Sequence, residues 1–205
     1  MIPKLLFLPG AGASPTFWRP LGDRLLARRP RAYLGWPGLG NQPADPAVNG
    51  LDDLVTLVEA HMADGPVDIL AQSMGGVVAL KTVLRNPGKV RRLVLSVTSG
   101  GVDAAARAAA LHDWRADYRR SFPNAAPWIG GDRTDLTDRI GTIACPTLLL
   151  FGDADPISPP FVGERLASLL PNARLEIVRG GDHDLVAKRV DDVLPLVERH
   201  LASVP

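Results

Sequence analysis

Three kinds of polar residue stand where apolar runs stop, and together they suit acyl chemistry. Ser73 follows "VDILA" (Val67–Ala71), Asp153 and Asp155 follow "TLLLF" (Thr147–Phe151), and His183 follows "RLEIV" (Arg174–Val178). A serine hydroxyl is a poor nucleophile near neutral pH unless an adjacent base takes its proton. Imidazole suits that task, with an ordinary pKa of about 6.5. A carboxylate bound to the second ring nitrogen fixes the tautomer and stabilises the imidazolium as it forms. Plainer roles exist for each residue: serine caps helices, and aspartate shapes turns. Gly75-Gly76 in the first turn after Ser73 argues against a cap alone, because paired glycines weaken a helix. Of the other imidazoles, His61 and His200 fall near helix ends, where exposure is expected, and His112 follows no strand. "GDHD" (181–184) offers no second histidine at helical spacing, so no metal site is expected there.

The elements that must position these groups follow a regular rhythm. Short apolar runs, at Lys4–Leu8, Arg31–Trp36, Val67–Ala71, Arg92–Val97, Thr147–Phe151 and Arg174–Val178, have strand length and little polar alternation. That pattern predicts strands covered on both faces. Helices are expected between them, at Thr16–Arg28, Leu51–Met62, Met74–Leu84, Pro160–Leu170 and Leu185–Leu201, with Pro195 kinking or splitting the last. Alternating strand and helix implies right-handed crossovers and a doubly wound, mostly parallel sheet. Ligands bind such sheets beyond the carboxyl ends of the strands, where Ser73 and His183 stand. One stretch breaks the rhythm. Between Gly101 and Ile143 no strand is expected, and Asp103–Phe122 reads as a strong helix former.

Composition narrows the field. The chain has 205 residues, 46% of them apolar, which suits one globular domain. Its 23 basic and 22 acidic residues leave a net charge of +1, which gives no electrostatic reason to expect nucleic acid or an anionic membrane. The arginines around 28–31 and 85–92 are expected at solvated helix ends and loops. A single cysteine, Cys145, excludes an internal disulfide and reads as a buried structural thiol. No apolar run is long enough to span a bilayer, and a cytoplasmic location is expected.

"AQSMGG" (71–76) resembles the nucleophile elbow of the α/β-hydrolase family, a sharp strand-to-helix turn with serine at its apex. "PGAGASPTFW" (9–18) resembles that family's oxyanion loop, "FGDADPISP" (151–159) its acid loop and "GGDHDLV" (180–186) its histidine loop. The likeness runs from Lys4 to about Leu201. It implies a single three-layer α/β/α domain over 1–205, with a mostly parallel sheet of about six strands and a cap or lid insertion at 101–143. It implies Ser73 as nucleophile, His183 as base, Asp155 as the acid, and the N–H groups of Ala11 and Met74 as oxyanion donors. Substrate-pocket candidates are Trp18, Leu39, Asn41, Trp114, Tyr118, Phe122 and Trp128, besides Ala11 and Met74. Departures from the family pattern are Ala71 in place of glycine, Pro9-Gly10 in place of His-Gly, and Gly38-Leu39-Gly40 in place of Gly-His-Gly. The chain opens directly on the strand before the oxyanion loop, so a compact member without the first two antiparallel strands is expected. The implied function is a serine hydrolase that cleaves a small carboxylic ester or related acyl compound through an acyl-enzyme, with no cofactor. The alternatives are other acyl, C–C or perhydrolase chemistry on the same fold, or a non-catalytic small-molecule binder. Oligomeric state is left open.

Overall fold

The computed structural model describes residues 2–26, 28–103 and 114–202. Six strands form one sheet: β1 (Lys4–Leu8), β2 (Arg31–Tyr33), β3 (Val67–Gln72), β4 (Val90–Ser96), β5 (Thr147–Gly152) and β6 (Ala173–Val178). Their order is β2-β1-β3-β4-β5-β6, and every neighbouring pair is parallel. The helices are α1 (Arg19–Gly22), α2 (Leu51–Ala60), α3 (Met74–Arg85), α4 (Trp114–Ser121), α5 (Trp128–Gly131), α6 (Pro160–Leu169), α7 (Leu185–Lys188) and α8 (Val190–Ala202).

Apolar side chains on successive strand residues leave the sheet on opposite faces, and both faces are covered. Leu6, Leu8, Ile69, Ala71, Leu149 and Phe151 join one core with residues of α2, α3 and α6. Leu5, Phe7, Leu70, Leu148 and Leu150 join the other with residues of α1, α7 and α8. Near-continuous apolar runs are what a doubly covered sheet requires. The three-layer architecture therefore matches the expectation from the sequence.

Local boundaries differ from that expectation in three places. The helix expected at Thr16–Arg28 shrinks to α1, flanked by turns such as Phe17 N–H to Ser14 and Arg24 N–H to Leu21. Pro20 has no N–H to donate and fits only a first turn, while Gly22 propagates a helix poorly. β2 stops at Tyr33, before Gly35. The last helix divides at Arg189 (φ −117°, ψ 42°), so the break precedes Pro195, which lies inside α8. Half of the helix expected at 103–122 (residues 104–113) lies outside the described residues; α4 is its described part.

The arginine clusters divide: Arg28 and Arg85 are exposed as expected, whereas Arg29 and Arg92 are not. Arg29 and Arg91 converge on Asp68, whose side chain is fully buried, at 2.6 Å and 3.0 Å. Arg92 is 2% exposed and donates through Nε to the His200 carbonyl. These groups gather at the amino ends of β3 and β4, opposite the end where Ser73 follows β3. Sequence proximity to loops suggested solvation; the buried carboxylate draws Arg29 inward, while Arg91 reaches it from a partly exposed position. Cys145 is partly buried, and burial pushes its thiol up to about 11. No helix among the described residues is long and apolar enough to cross a membrane.

Candidate active site

The β3–α3 corner is built by strain and by small residues. Ser73 has φ 53° and ψ −124°, a conformation that side-chain-bearing residues rarely adopt. Holding it costs on the order of 1–3 kcal/mol. Several hydrogen bonds pin it. Ser73 N–H donates to the Ser96 carbonyl, and the Ser73 carbonyl accepts from Gly76 N–H and from the Thr98 hydroxyl at 2.6 Å. A β-carbon on Gly76 would lie 2.4 Å from Thr98 Oγ1, and one on Gly75 would lie 2.4 Å from the Pro9 carbonyl oxygen. Positions 75 and 76 must therefore lack side chains for α3 to leave at this angle. Ala71 sits in β3 without a positive φ, so a methyl group is tolerated there.

The carboxyl ends of β3, β5 and β6 bring three side chains together. His183 Nε2 lies 2.9 Å from Ser73 Oγ, and His183 Nδ1 lies 2.8 Å from Asp155 Oδ2. The Asp155 side chain is fully buried, and its Oδ1 accepts the Ile157 N–H at 2.8 Å, which fixes the carboxylate in its turn. Asp153 serves a different purpose: its Oδ1 accepts the Gly180 N–H and ties the acid loop to the histidine loop. The two loops touch directly, since a β-carbon on Gly152 would lie 2.0 Å from the Gly181 carbonyl oxygen. Imidazole between alcohol and acid allows the hydroxyl proton to move to Nε2 while the carboxylate holds Nδ1–H.

The first loop closes the site. Its turn is set by the Ala13 N–H bonding the Gly10 carbonyl at 2.9 Å. Trp18 and Trp36 grip the end of β1 by donating their indole N–H groups to the Leu8 and Pro9 carbonyls. A β-carbon on Gly10 would lie 2.3 Å from Gln72 Oε1 and 3.0 Å from Ser73 Cβ, so glycine lets the loop pass close to the serine. Among the described residues, no acceptor pairs with the N–H of Ala11 or of Met74. The Met74 donor is the first of α3, where the helix dipole favours negative charge.

The pocket candidates separate. Trp18 is 1% exposed, and Leu39 is fully buried. Both are core residues and offer no surface to a ligand, so their assignment to the pocket is corrected. Nearness in sequence to the first two loops did not reveal which way the side chains face. Asn41 is exposed. Trp114, Tyr118 and Phe122 form a ring ladder with centroids 5.7 Å and 5.0 Å apart. They line a cavity of about 240 Å3 together with Pro123, Ala126 and Ile129. Trp128 does not line that cavity and packs against the larger core. His61 ends α2, while His200 in α8 is half-buried, where exposure was expected, and burial lowers its pKa. His112 lies outside the described residues.

Two residues escaped the sequence reading. Gln72 Nε2 donates to the His183 carbonyl at 3.0 Å and links the elbow to the histidine loop. The Thr98 hydroxyl grips the serine carbonyl. Their only signal was a polar residue at a strand end, a weak mark beside the glycines and prolines of the same loops.

Comparison with known proteins places this geometry in a wider group. The sequence matches the profile of the Alpha/beta hydrolase family across residues 5–195. The chain belongs to that family. The hydrolase is 29% identical, over 89% of its length and 87% of the relative's, to a pimeloyl-[acyl-carrier protein] methyl ester esterase of Neisseria meningitidis serogroup C. An esterase from Exiguobacterium antarcticum superposes with a TM-score of 0.80 at 18% identity, covering 98% of the hydrolase and 92% of that chain. A meta-cleavage product hydrolase from Pseudomonas fluorescens IP01 gives 0.78 at 20%, covering 97% and 90%. At those identities the structural likeness speaks for the shared fold.

Proposed function

We propose that this hydrolase is a serine esterase acting on a small alkyl ester of a carboxylic acid. Ser73 Oγ attacks the ester carbonyl carbon as His183 Nε2 takes its proton. Asp155 holds Nδ1–H throughout. The carbonyl oxygen becomes an oxyanion between the N–H groups of Ala11 and Met74. The tetrahedral intermediate collapses, and the alcohol leaves with the proton from Nε2. A water molecule, deprotonated by the same nitrogen, then frees the acid and restores Ser73. No cofactor enters these steps. The reading rests on one observation above all: the unbroken contact from Ser73 through His183 to Asp155, at 2.9 and 2.8 Å. The methyl ester esterase relative supports the ester class.

Segment 101–143 serves in this reading as a cap. Among its described residues there is no strand, and it reaches the strand-end loops through Tyr118 and through the Ala126 N–H, which bonds the Gly38 carbonyl. The cavity lined by Trp114, Tyr118 and Phe122 lies within this segment, and its lining includes none of Ser73, Asp155, His183, Ala11 or Met74. This reading keeps the cytoplasmic location expected from the sequence.

A fluorophosphonate probe and a panel of short p-nitrophenyl esters test the proposal. Wild type is expected to label and to turn over the short esters, and Ser73→Ala to do neither. Equal turnover by the two proteins would refute it.

A further inference from the structure

Tyr118 belongs to α4, yet its hydroxyl reaches the first loop, 107 residues away in sequence. The phenol donates to the Ala11 carbonyl at 2.9 Å and accepts from the Gly40 N–H at 2.9 Å. One oxygen thus joins three segments: α4, the loop after β1 and the loop after β2. The second and third of these already press together, because a β-carbon on Gly40 would lie 2.1 Å from the Gly12 carbonyl oxygen. The Tyr118 ring is held between Trp114 and Phe122, so the hydroxyl is delivered from a packed ladder.

The atom that Tyr118 holds is informative. Residues 10–13 form a turn closed by Ala13 N–H to the Gly10 carbonyl. That bond fixes the Gly10–Ala11 peptide, whose N–H is the Ala11 donor. The next peptide, Ala11–Gly12, is the centre of the turn, and a central peptide with glycine after it flips readily between turn types. Its carbonyl is the acceptor for Tyr118. The loop begins with Pro9, a residue with no side-chain donor to brace this turn from within.

We propose that Tyr118 is a positioning residue for the oxyanion donor, its hydroxyl locking the central peptide of the 10–13 turn so that the Ala11 N–H stays aimed beside Ser73. The inference rests on the esterase reading given above. Burial raises the phenol's pKa, which keeps it protonated and able to donate to the carbonyl. The energetic demand is modest, because one well-aimed oxyanion donor is worth about 10²–10³ in rate, and a loosened one forfeits part of that. The cap then does more than cover the strand-end loops. Its helix completes the electrostatics of the reacting centre.

The test is Tyr118→Phe, which keeps the ring ladder and removes only the hydroxyl. On p-nitrophenyl butyrate, kcat is expected to fall about 10- to 100-fold with KM within about threefold. Affinity for a trifluoromethyl ketone, which forms an oxyanion on Ser73, is expected to fall in step with kcat/KM. Amide exchange at Gly40 is expected to quicken, since its acceptor is gone. A merely structural hydroxyl would lower the melting temperature and leave the kcat of the folded enzyme unchanged. Unchanged kcat and unchanged ketone affinity in an active enzyme overturn this inference alone. A wild type inert toward every ester and toward the ketone overturns the esterase reading and this inference with it.

Discussion

Replacing Gly75 with alanine probes the seam between the two proposed oxyanion donors. The added β-carbon would lie 2.4 Å from the Pro9 carbonyl oxygen and 2.8 Å from that of Leu8. Both obstacles are backbone, and Trp36 already holds the Pro9 oxygen at 2.7 Å, so no flexible side chain can yield. Ordinary contact begins at 3.4 Å, so α3 and the end of β1 have to part by about 1 Å. α3 carries Met74, and the loop after β1 carries Ala11, so the separation falls directly on the proposed oxyanion site. A displacement of that size costs about 10²-fold in rate. Overpacking costs about 1–3 kcal/mol, offset by about 1 kcal/mol because alanine favours helix over glycine. The net, about 0–2 kcal/mol, lowers Tm by no more than about 8 °C for a chain of this size. Activity is therefore expected to fall far more than stability. The assay pairs p-nitrophenyl butyrate kinetics and fluorophosphonate labelling rates with a thermal melt. Gly131→Ala, where a β-carbon meets nothing within 4 Å, is the control and should change neither. Wild-type labelling and turnover in Gly75→Ala would refute the reasoning.

Two further outcomes are expected. Asp68→Asn leaves Arg29 and Arg91 beside a neutral amide inside the protein. The urea midpoint should drop by the equivalent of about 3–5 kcal/mol, while ester turnover by the folded protein stays at wild type, because the cluster lies at the far end of the strands. Cys145, with its thiol pushed up to about 11, should resist iodoacetamide at pH 8 in the native protein and react at the rate of an ordinary cysteine after denaturation, as thiol quantification by mass would report.

The sequence carried the sheet plainly because each strand is a short, nearly unbroken apolar run, a pattern that two covered faces demand. Ser73 was legible because Gly75-Gly76 follows it, and such glycines serve an exposed corner better than a capped helix. Asp155 required the family likeness: Asp153 and Asp155 look alike in sequence and differ in what each one meets, Asp153 the Gly180 N–H and Asp155 the His183 ring. Trp18 and Leu39 were misread because position in a loop says nothing of side-chain direction; the Trp18 indole turns inward to bond Leu8. The arginine cluster was hidden because its partner, Asp68, interrupts an otherwise apolar strand and reads as noise until Arg29 and Arg91 surround it. The Tyr118 contacts span 78 and 107 residues, beyond the reach of any local pattern.

The contact of Gly152 with Gly181 has a consequence for how this protein can be altered. Ala154 N–H also bonds the Gly181 carbonyl at 3.0 Å, so the segments bearing Asp155 and His183 are sewn together along their backbones. Neither can be lengthened, shortened or grafted alone without prising the other away. Anyone re-engineering this scaffold should transplant 152–157 and 178–185 as a single cassette.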